Sequence, residues 1–372
     1  MKILIAPDKF KGSLSSYEAG KAIKSALAST IPAAELRQIP MADGGDGLLE
    51  VLQATGSYIR RDLTVCDPLF RPIEASYLIT KNNAAIIEMA KASGLLLLKT
   101  EERNPLVTSS YGTGQLIEDA IQKGAVDITL GIGGSATNDA GTGMAAALGF
   151  RFYDQWGKEI VPIGENLIRI TKIDHCNAIN LSTINIKVAC DVTNVFHGKD
   201  GAAWVFGPQK GADENSVRIL DEGLDHLASL LRKDLGVDVQ SIPGAGAAGG
   251  LGGGAIAFLG AKLLSGIELI LEYTQAEELI IDSDLVITGE GKLDHQSLNG
   301  KVISGISSLS KRHNKPLIVL CGENELLEEE YKAAGITQVN SIMEHATDAL
   351  SAFDNSLYWL EFTTKKAIKE FL

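Results

Sequence analysis

The sequence lacks the long apolar runs and the basic surfaces that mark membrane and nucleic-acid-binding proteins. No stretch reaches the roughly 18 uninterrupted apolar residues that a spanning helix needs, and the N-terminal run MKILIA is too short for the core of a secretory signal. The formal net charge is −13, whereas nucleic acids and anionic membranes bind to basic patches. We therefore expect neither a membrane nor a nucleic acid as a partner.

Cysteine and histidine are also scarce, with 4 and 6 residues respectively in a chain of 372. The cysteines form no CxxC pair, so we expect buried thiols in a reducing cytoplasm rather than disulfides. The histidines show no HxxxH or comparable spacing, which argues against a transition-metal site. The cysteine pattern favours a cytoplasmic protein. The scattered cysteines are Cys66, Cys176, Cys190 and Cys321.

The composition that remains is that of a globular protein of about two domains, with 45% hydrophobic and 22% charged residues. KILIA at 2–6 predicts a buried strand, and ELRQI at 35–39 predicts another. Between them, Ser15 and Glu18 form an S-x-x-E capping box that predicts the start of a helix. Strand, polar loop and helix in this order indicate a parallel α/β sheet.

The pattern changes in the middle of the chain and then returns. YIRRDLTV, IEASYLI and AAIIEMA predict a meander of three strands, which places a domain boundary near residue 60. DLVITGEG, PLIVLCG and GITQVN restore the α/β rhythm in the last hundred residues. We therefore predict an α/β fold in which a parallel-sheet, Rossmann-like domain (1–60 and 275–372) is built from both termini. A second α/β domain (61–274) is inserted in it.

Two polar loops follow the first two predicted strands, where ligands of parallel sheets bind. PDKFKGS contains Asp8, Lys9 and Lys11, which could bind a carboxylate or phosphate; the alternative is a solvated turn. MADGGDG contains Asp43 and Asp46, which suit a hard cation or a substrate hydroxyl. Because Asp and Gly are common turn formers, plain turn chemistry is the alternative there.

The glycine-rich loop GIGGSATNDAGTG at 131–143 lies between a predicted strand and a predicted helix. Free backbone amides at a helix N-terminus form an anion site, so we predict phosphate binding; close packing of strand and helix is the alternative. The chain has no complete GxxxxGK[ST] motif, so the positive charge must come from another loop. The candidate phosphate-binding residues are Gly133, Gly134, Ser135, Thr137 and Asn138.

Two later segments add further candidates. Asp191 follows the predicted strand INIKVAC and could be a base or a metal ligand. The segment TGEGKLDHQSLNGK at 288–301 reads as a charged, glycine-rich loop, and Lys292 is the candidate for the missing cation; a charged hairpin tip is the alternative. The glycines that would let a phosphate approach this loop are Gly289 and Gly291.

GAGAAG at 244–249 matches the dinucleotide pattern GxGxxG, but SIP precedes it where a strand should stand. We therefore interpret it as a tightly packed helix start. A nicotinamide-dependent dehydrogenase is the alternative that this motif leaves open. A module that senses a small acid without converting it is another, although the many acidic loops would repel such a ligand.

Taken together, six segments resemble the type I glycerate kinase family, in order and from end to end of the chain. One small departure is Val195–Phe196, where the family tends to have a proline. The matching segments are APDKFKGSLS, PMADGGDGLLE, LGIGGSATNDAGTGMAAALG, CDVTN with GPQKGA, PGAGAAGGLGGG and ITGEGKLDHQSLNGK.

The resemblance implies transfer of the γ-phosphate of ATP to D-glycerate with Mg²⁺, giving mostly 2-phosphoglycerate, with 3-phosphoglycerate as the older assignment. Phosphoryl transfer needs mainly positioning and cations from the protein. Asp43, Asp191 and Lys292 are then the expected catalytic residues, and the loop at 131–143 is expected to hold ATP phosphates. Asp8, Lys9, Lys11 and Asp46 are expected to bind glycerate. The candidate Mg²⁺ ligands are Asp43, Asp191, Glu290 and Asp294.

Overall fold

A computed structural model of the protein describes residues 1–42, 58–80 and 82–372. The chain forms two compact units. The first unit contains Met1–Gly56 and Gly266–Leu372, and the second unit contains Ser57–Ser265. The predicted division at residues 60 and 274 assigned the helix Gly266–Tyr273 to the inserted domain, whereas its contacts belong to the first unit.

The first unit is built on a sheet whose five strands all run parallel. Its strands are β1 (Lys2–Ile5), β2 (Glu35–Gln38), β11 (Leu285–Leu293), β12 (Leu317–Asn324) and β13 (Gln338–Ser341). The strand order is β13-β12-β11-β1-β2, and each neighbouring pair is parallel. The predicted parallel sheet is confirmed, with the N-terminal strand between two others.

Helices connect these strands and cover the sheet. The helices that the structure describes in the first unit are α1 (Ser16–Thr30), α8 (Gly266–Tyr273), α9 (Ala276–Ile281), α10 (Val302–Arg312), α11 (Glu328–Ala333), α12 (Ala349–Asp354) and α13 (Ser356–Phe371). The predicted capping box starts α1: the Glu18 amide donates to the Ser15 hydroxyl at 3.2 Å, and the Ser15 amide donates to the Glu18 carboxylate at 2.9 Å.

The apolar run of β1 is buried on both faces. Ile3 and Ile5 belong to a core that also contains Ile23 of α1 and Leu360 of α13. Leu4, which points to the opposite face, is buried as well. A strand covered on both sides reads as a continuous apolar run, which is why KILIA was recognisable from the sequence.

The second unit contains a mixed sheet of six strands and a small two-stranded one. Its strands are β3 (Tyr58–Cys66), β4 (Pro72–Thr80), β5 (Ala84–Glu88), β6 (Asp127–Gly131), β7 (Arg151–Tyr153), β8 (Lys172–Asp174), β9 (Asn185–Ala189) and β10 (Lys262–Leu264). The large sheet has the order β10-β9-β6-β5-β4-β3. The pairs among β3, β4 and β5 are antiparallel, which confirms the meander, and β5, β6, β9 and β10 run parallel.

Short helices pack around this sheet on one extensive core. They are α2 (Ala90–Ser93), α3 (Tyr111–Gln122), α4 (Thr142–Ala147), α5 (Ala202–Phe206), α6 (Glu214–Leu230) and α7 (Leu251–Leu259). In the register of β6 and β9, Gly131 lies opposite Ala189. The loops that follow these two parallel strands therefore leave the sheet at the same edge.

The structure also bears on the predictions about membrane spans and cysteines. In the described ranges, no helix combines the length and the apolar character that a membrane span requires. All four cysteines are free thiols. The prediction of buried thiols is right for Cys321, whereas Cys66 and Cys190 are only partly buried. It is wrong for Cys176, which is exposed in the turn after β8, where its amide donates to Asp174.

Candidate active site

In the first unit, the loop after β1 meets the C-terminal half of β11. Asp8 is buried, and its backbone amide donates to the Gly289 carbonyl at 2.8 Å. The Asp8 carboxylate accepts the Lys9 amide at 2.7 Å. Lys11 is exposed further along the same loop. Three of the residues predicted to bind glycerate therefore lie in one loop at the C-terminal edge of the parallel sheet.

Glu290 lies beside this loop with a buried carboxylate. Its Oε1 atom is buried and has no hydrogen-bond partner within the described part of the chain. Burial raises the pKa of Glu290 to about 7, and the nearby negative charge of Asp8 acts in the same direction. A carboxylate oxygen without a hydrogen-bond partner, next to a second acid, is a suitable Mg²⁺ ligand. Proteins usually bind this ion through one or two carboxylates together with the phosphates of the substrate.

The prediction that residues 288–301 form a loop is wrong over the first part of this segment. Strand β11 continues to Leu293, and Lys292 lies opposite Glu323 of β12 in the register. The glycines serve close backbone packing: a Cβ on Gly289 would lie 2.3 Å from the Leu320 carbonyl, and one on Gly291 would lie 3.2 Å from the Lys11 amide nitrogen. The sequence could not distinguish this use of glycine from a flexible loop.

Lys292, the predicted cation, is half-exposed and pairs with acids of its own unit. Its Nζ atom lies 2.6 Å from Glu325 Oε1 and 3.9 Å from Glu323 Oε2. Asp294 serves the turn after β11, where its carboxylate accepts the Gln296 amide at 2.8 Å and the Ser297 amide at 3.1 Å. The roles of Lys292 in catalysis and of Asp294 in metal binding stay predictions.

A cavity of about 220 Å³ opens within the first unit next to this loop. Its polar lining includes Lys11, Ser13 and Glu323, and its apolar lining includes Phe10 and Phe353. Lys11 is the cation in this lining, so a small carboxylate entering the cavity would meet it.

In the second unit, the glycine-rich loop follows β6 and is only partly open to solvent. Gly133 and Gly134 form an exposed turn. Ser135 is 7% exposed, whereas the side chains of Thr137 and Asn138 are fully buried. Asp191 is exposed just after β9, at the same sheet edge, so the structure brings the predicted phosphate loop and this acid to neighbouring strand ends.

The first amides of α4 are already bound to a protein carboxylate. Asp139 is fully buried and accepts the amides of Ser110 at 2.7 Å, Gly143 at 3.1 Å and Gly141 at 3.2 Å. It also accepts the Ser110 hydroxyl at 2.8 Å. Asp139 therefore caps the helix N-terminus on which the phosphate prediction was based. The accessible part of the loop is the exposed turn that precedes it.

The glycines at 244–254 pack against this loop, as the sequence interpretation of tight packing expected. A Cβ on Gly249 would lie 2.0 Å from the Thr137 carbonyl, and one on Gly254 would lie 2.0 Å from the Ala140 carbonyl. Turns rather than a strand precede GAGAAG. The dehydrogenase alternative therefore lacks its structural premise.

Lys210, which the sequence offers as the alternative to Lys292 for the phosphate cation, contacts the glycine-rich loop. It lies in GPQKGA, and its ammonium donates to the Ser135 hydroxyl and to the Thr137 carbonyl, both at 2.7 Å. In the sequence, the one sign of a special role for this residue is its position between two glycines. Its partners are more than seventy residues away in sequence, which is why the contact was not apparent.

Some predicted residues lie outside the described ranges, namely Asp43 and Asp46. Among the residues that the structure does describe, no group of three or more His, Cys, Asp or Glu side chains is arranged to hold a metal ion. The described acids closest to that role are Glu290 and Asp8, which interact electrostatically. Mg²⁺ binding therefore stays a prediction.

Comparisons with known proteins extend these observations to the whole chain. The model of the Glycerate kinase family matches residues 3–372. A glycerate kinase of Halalkalibacterium halodurans is 46% identical over 93% of this chain and 89% of its own length. A glycerate 2-kinase of Escherichia coli K12 is 47% identical over 87% of this chain and 85% of its own length.

A solved structure shows the same fold. A protein of Salmonella typhimurium LT2, proposed to be a glycerate kinase 2, superimposes with a TM-score of 0.88 at 40% identity, covering 100% of this chain and 98% of its own. The predicted resemblance is confirmed: this chain belongs to the glycerate kinase family.

Proposed function

We propose that this protein is a glycerate kinase that transfers the γ-phosphate of ATP to a hydroxyl group of D-glycerate, with 2-phosphoglycerate as the product. The family match over residues 3–372 carries the proposal. The name of the Escherichia coli relative, a glycerate 2-kinase, supports the 2-hydroxyl as the acceptor.

Each unit contains groups that suit one part of this reaction. In the first unit, Lys11 lines a cavity and is assigned to the glycerate carboxylate, with Asp8 and Lys9 in the same loop. In the second unit, the exposed turn at Gly133 and Gly134 is assigned to phosphate oxygens, because backbone amides in glycine-rich turns bind anions.

Mg²⁺, when bound, would offset the negative charge of the phosphate groups during transfer. Glu290 is the candidate among the described residues, because a buried carboxylate oxygen without a partner can act as a ligand. Asp191 is exposed after β9 and is assigned as the base that accepts the glycerate hydroxyl proton, with Asp43 as the second acid. These roles belong to the proposal.

The direct test is ³¹P NMR of the products formed from ATP and D-glycerate. We expect ADP and one new phosphomonoester signal that co-resonates with added 2-phosphoglycerate. A signal that matches 3-phosphoglycerate would refute the regiochemistry alone. ATP hydrolysis without any phosphoglycerate would refute the kinase, and turnover that persists in excess chelator would refute the requirement for Mg²⁺.

A further inference from the structure

Lys210 is a lysine buried beneath the glycine-rich loop of the second unit. Its side chain is 1% exposed, and its Nζ atom donates to Ser135 Oγ and to the Thr137 carbonyl oxygen at 2.7 Å each. Lysine is rarely buried to this extent, because an ammonium group loses its hydration. The chain therefore maintains this arrangement at a cost.

The local backbone fixes the lysine in this place. Pro208–Lys210 forms a 3-10 turn, and Gly211 follows with a φ of +95°. A Cβ on Gly211 would lie 2.2 Å from the Arg103 carbonyl oxygen, so glycine is required both by conformation and by space. The tight turn directs Lys210 inward under the loop, in contrast to a mobile surface lysine.

The contact determines which way the Ser135 hydroxyl can donate. The Lys210 Nζ atom donates in both contacts, so the Ser135 oxygen is the acceptor from Lys210. The hydroxyl hydrogen of Ser135 is then available for another acceptor, and the donation from Lys210 polarises it. Ser135 directly follows the exposed turn of Gly133 and Gly134, which is the proposed phosphate site.

A second observation indicates that this loop has a ligand. Thr137 Oγ1 and both side-chain amide atoms of Asn138 are buried and lack a hydrogen-bond partner within residues 1–42, 58–80 and 82–372. Buried polar atoms in folded proteins are nearly always paired. Three unpaired atoms next to the Lys210 contact therefore point to a polar group that binds here.

A purely structural role does not explain the lysine. The one nearby carboxylate that affects its charge is Asp139, and the hydrogen bonds of Asp139 come from Ser110, Gly141 and Gly143. An apolar side chain of similar length would fill the same space without the cost of burying an amine, since replacing buried charges by hydrophobic groups is often neutral or stabilising.

We propose that Lys210 is a positioning residue for the phosphates of the nucleotide: it holds the Ser135–Thr137 segment and orients the Ser135 hydroxyl as a donor to a phosphate oxygen. It supplies a nitrogen donor beneath the loop, which has no lysine of the kind that a P-loop carries within its own sequence. This inference rests on the proposed function, because it assigns the phosphate subsite of that reaction.

The test compares Lys210→Met, Ser135→Ala and the double variant by steady-state kinetics with ATP and D-glycerate varied separately. Lys123→Met, an exposed lysine of the same unit, is the matched control. A hydrogen bond to a charged group corresponds to a factor on the order of ten or more. We expect each single variant to raise the KM for ATP by that factor and to leave the KM for glycerate within about twofold.

Non-additivity is the signature of action through Ser135. If Lys210 acts by orienting that hydroxyl, the KM for ATP of the double variant is no higher than that of the more impaired single variant. The reason is that the effects of two residues that act through one contact are not additive. Independent effects that multiply, an unchanged KM for ATP, or an equal rise in both KM values would overturn the inference. Ser135→Ala keeps the test possible if Lys210→Met does not fold, which circular dichroism would reveal.

Calorimetry with ATP separates this inference from the proposed function. A wild-type protein that binds ATP but forms no phosphoglycerate would refute the kinase alone, and the affinities of wild type and Ser135→Ala would still decide the inference. Weaker binding by Ser135→Ala supports it, and equal affinity overturns it.

Discussion

Asp139 occupies the place at the start of α4 that an anion often takes at a helix N-terminus. The positive end of the helix dipole and its free amides favour a negative charge there, and the protein provides one from its own chain. Burial raises the pKa of Asp139, while hydrogen bonds from Ser110, Gly143 and Gly141 oppose that rise. The remaining surface for a phosphate is the turn at Gly133 and Gly134, with Ser135 behind it.

Lys292 permits a direct test of the predicted phosphate cation. If Lys292 contacts the transferred group, Lys292→Ala lowers kcat on the order of a hundredfold, as removal of one donor to a developing charge does. Glu325→Gln is the matched control, because it removes the 2.6 Å ion pair but keeps the lysine. We expect Glu325→Gln to change kcat by less than about threefold, as an exposed ion pair contributes little. Equal, small effects of both changes would contradict a catalytic role for Lys292.

The buried amine of Lys210 predicts a dependence of stability on pH. Burial lowers the pKa of Lys210 from its ordinary value of 10.5 to about 7, although the negative charge of Asp139 opposes this shift. Between these two values the unfolded chain binds a proton that the folded chain does not, so the contribution of this residue to stability rises with pH. Below pH 7 the full cost of burying the charge is present.

We therefore expect the free energy of unfolding of the wild type, relative to Lys210→Met, to increase as the pH is raised from 7 to 10. Urea denaturation of both proteins at each pH measures this difference. A difference that stays constant over this range would show that the lysine is charged in the folded protein as well.

Among the secondary-structure elements, the start of β1 and of α1 could be predicted from the sequence, whereas the end of β11 could not. β1 and the capping box of α1 were predictable because apolar period and capping are local properties. The end of β11 was not, because the charged residues Glu290 and Lys292 alternate with glycines in a strand that pairs with β12 up to Asn324. Taken alone, charged residues that alternate with glycines suggest a loop. Pairing with β12 is what makes this segment part of the sheet.

The candidate site was predictable to a similar degree. The loops after β1 and β6 were identified, since ligand sites at strand ends follow from topology. The contact of Lys210 with Ser135 and the capping of α4 by Asp139 were not, because they depend on how distant segments pack. In the sequence, Lys210 and Asp139 are recognisable only as charged residues in glycine-rich segments.

The packing of the 244–254 segment against the glycine-rich loop predicts a large difference between two similar glycines. Gly249 and Gly260 both have positive φ values, +70° and +64°. A Cβ on Gly249 would lie 2.0 Å from the Thr137 carbonyl, whereas one on Gly260 meets no described atom within 4 Å. We expect Gly260→Ala to cost about 1 to 2 kcal/mol from backbone strain alone, and Gly249→Ala to cost clearly more.

Thermal and urea denaturation of the two variants measure this difference. Because the strain term is common to both, the excess destabilisation of Gly249→Ala reports the clash with the loop. Equal destabilisation of both variants would mean that the loop moves aside without cost.

At the scale of the whole molecule, the second unit is continuous in sequence, whereas the first is assembled from both ends of the chain. The core cluster of the second unit consists only of residues between Val65 and Ala261. A unit with a complete core of its own can fold alone. We therefore predict that a fragment of residues 57–265 unfolds cooperatively in urea and forms no phosphoglycerate.

The fragment 266–372 is the control for this prediction. It contains β11, β12 and β13 but lacks β1, which pairs with β11 on one side and β2 on the other. We expect it to show no cooperative transition. A fragment 57–265 that melts without cooperativity would mean that its core depends on the rest of the chain.

The position of β1 inside its sheet also has a consequence during synthesis on the ribosome. The Thr288 hydroxyl donates to the Ala6 carbonyl across 282 residues of chain. At roughly 5 to 20 residues per second, translation needs tens of seconds to cover that interval. During this time the nascent chain carries KILIA with β2 as its only possible strand neighbour, while residues 57–265 are complete before β11 is made. A ribosome that stalls before residue 285 would therefore expose this apolar strand to chaperones and to aggregation.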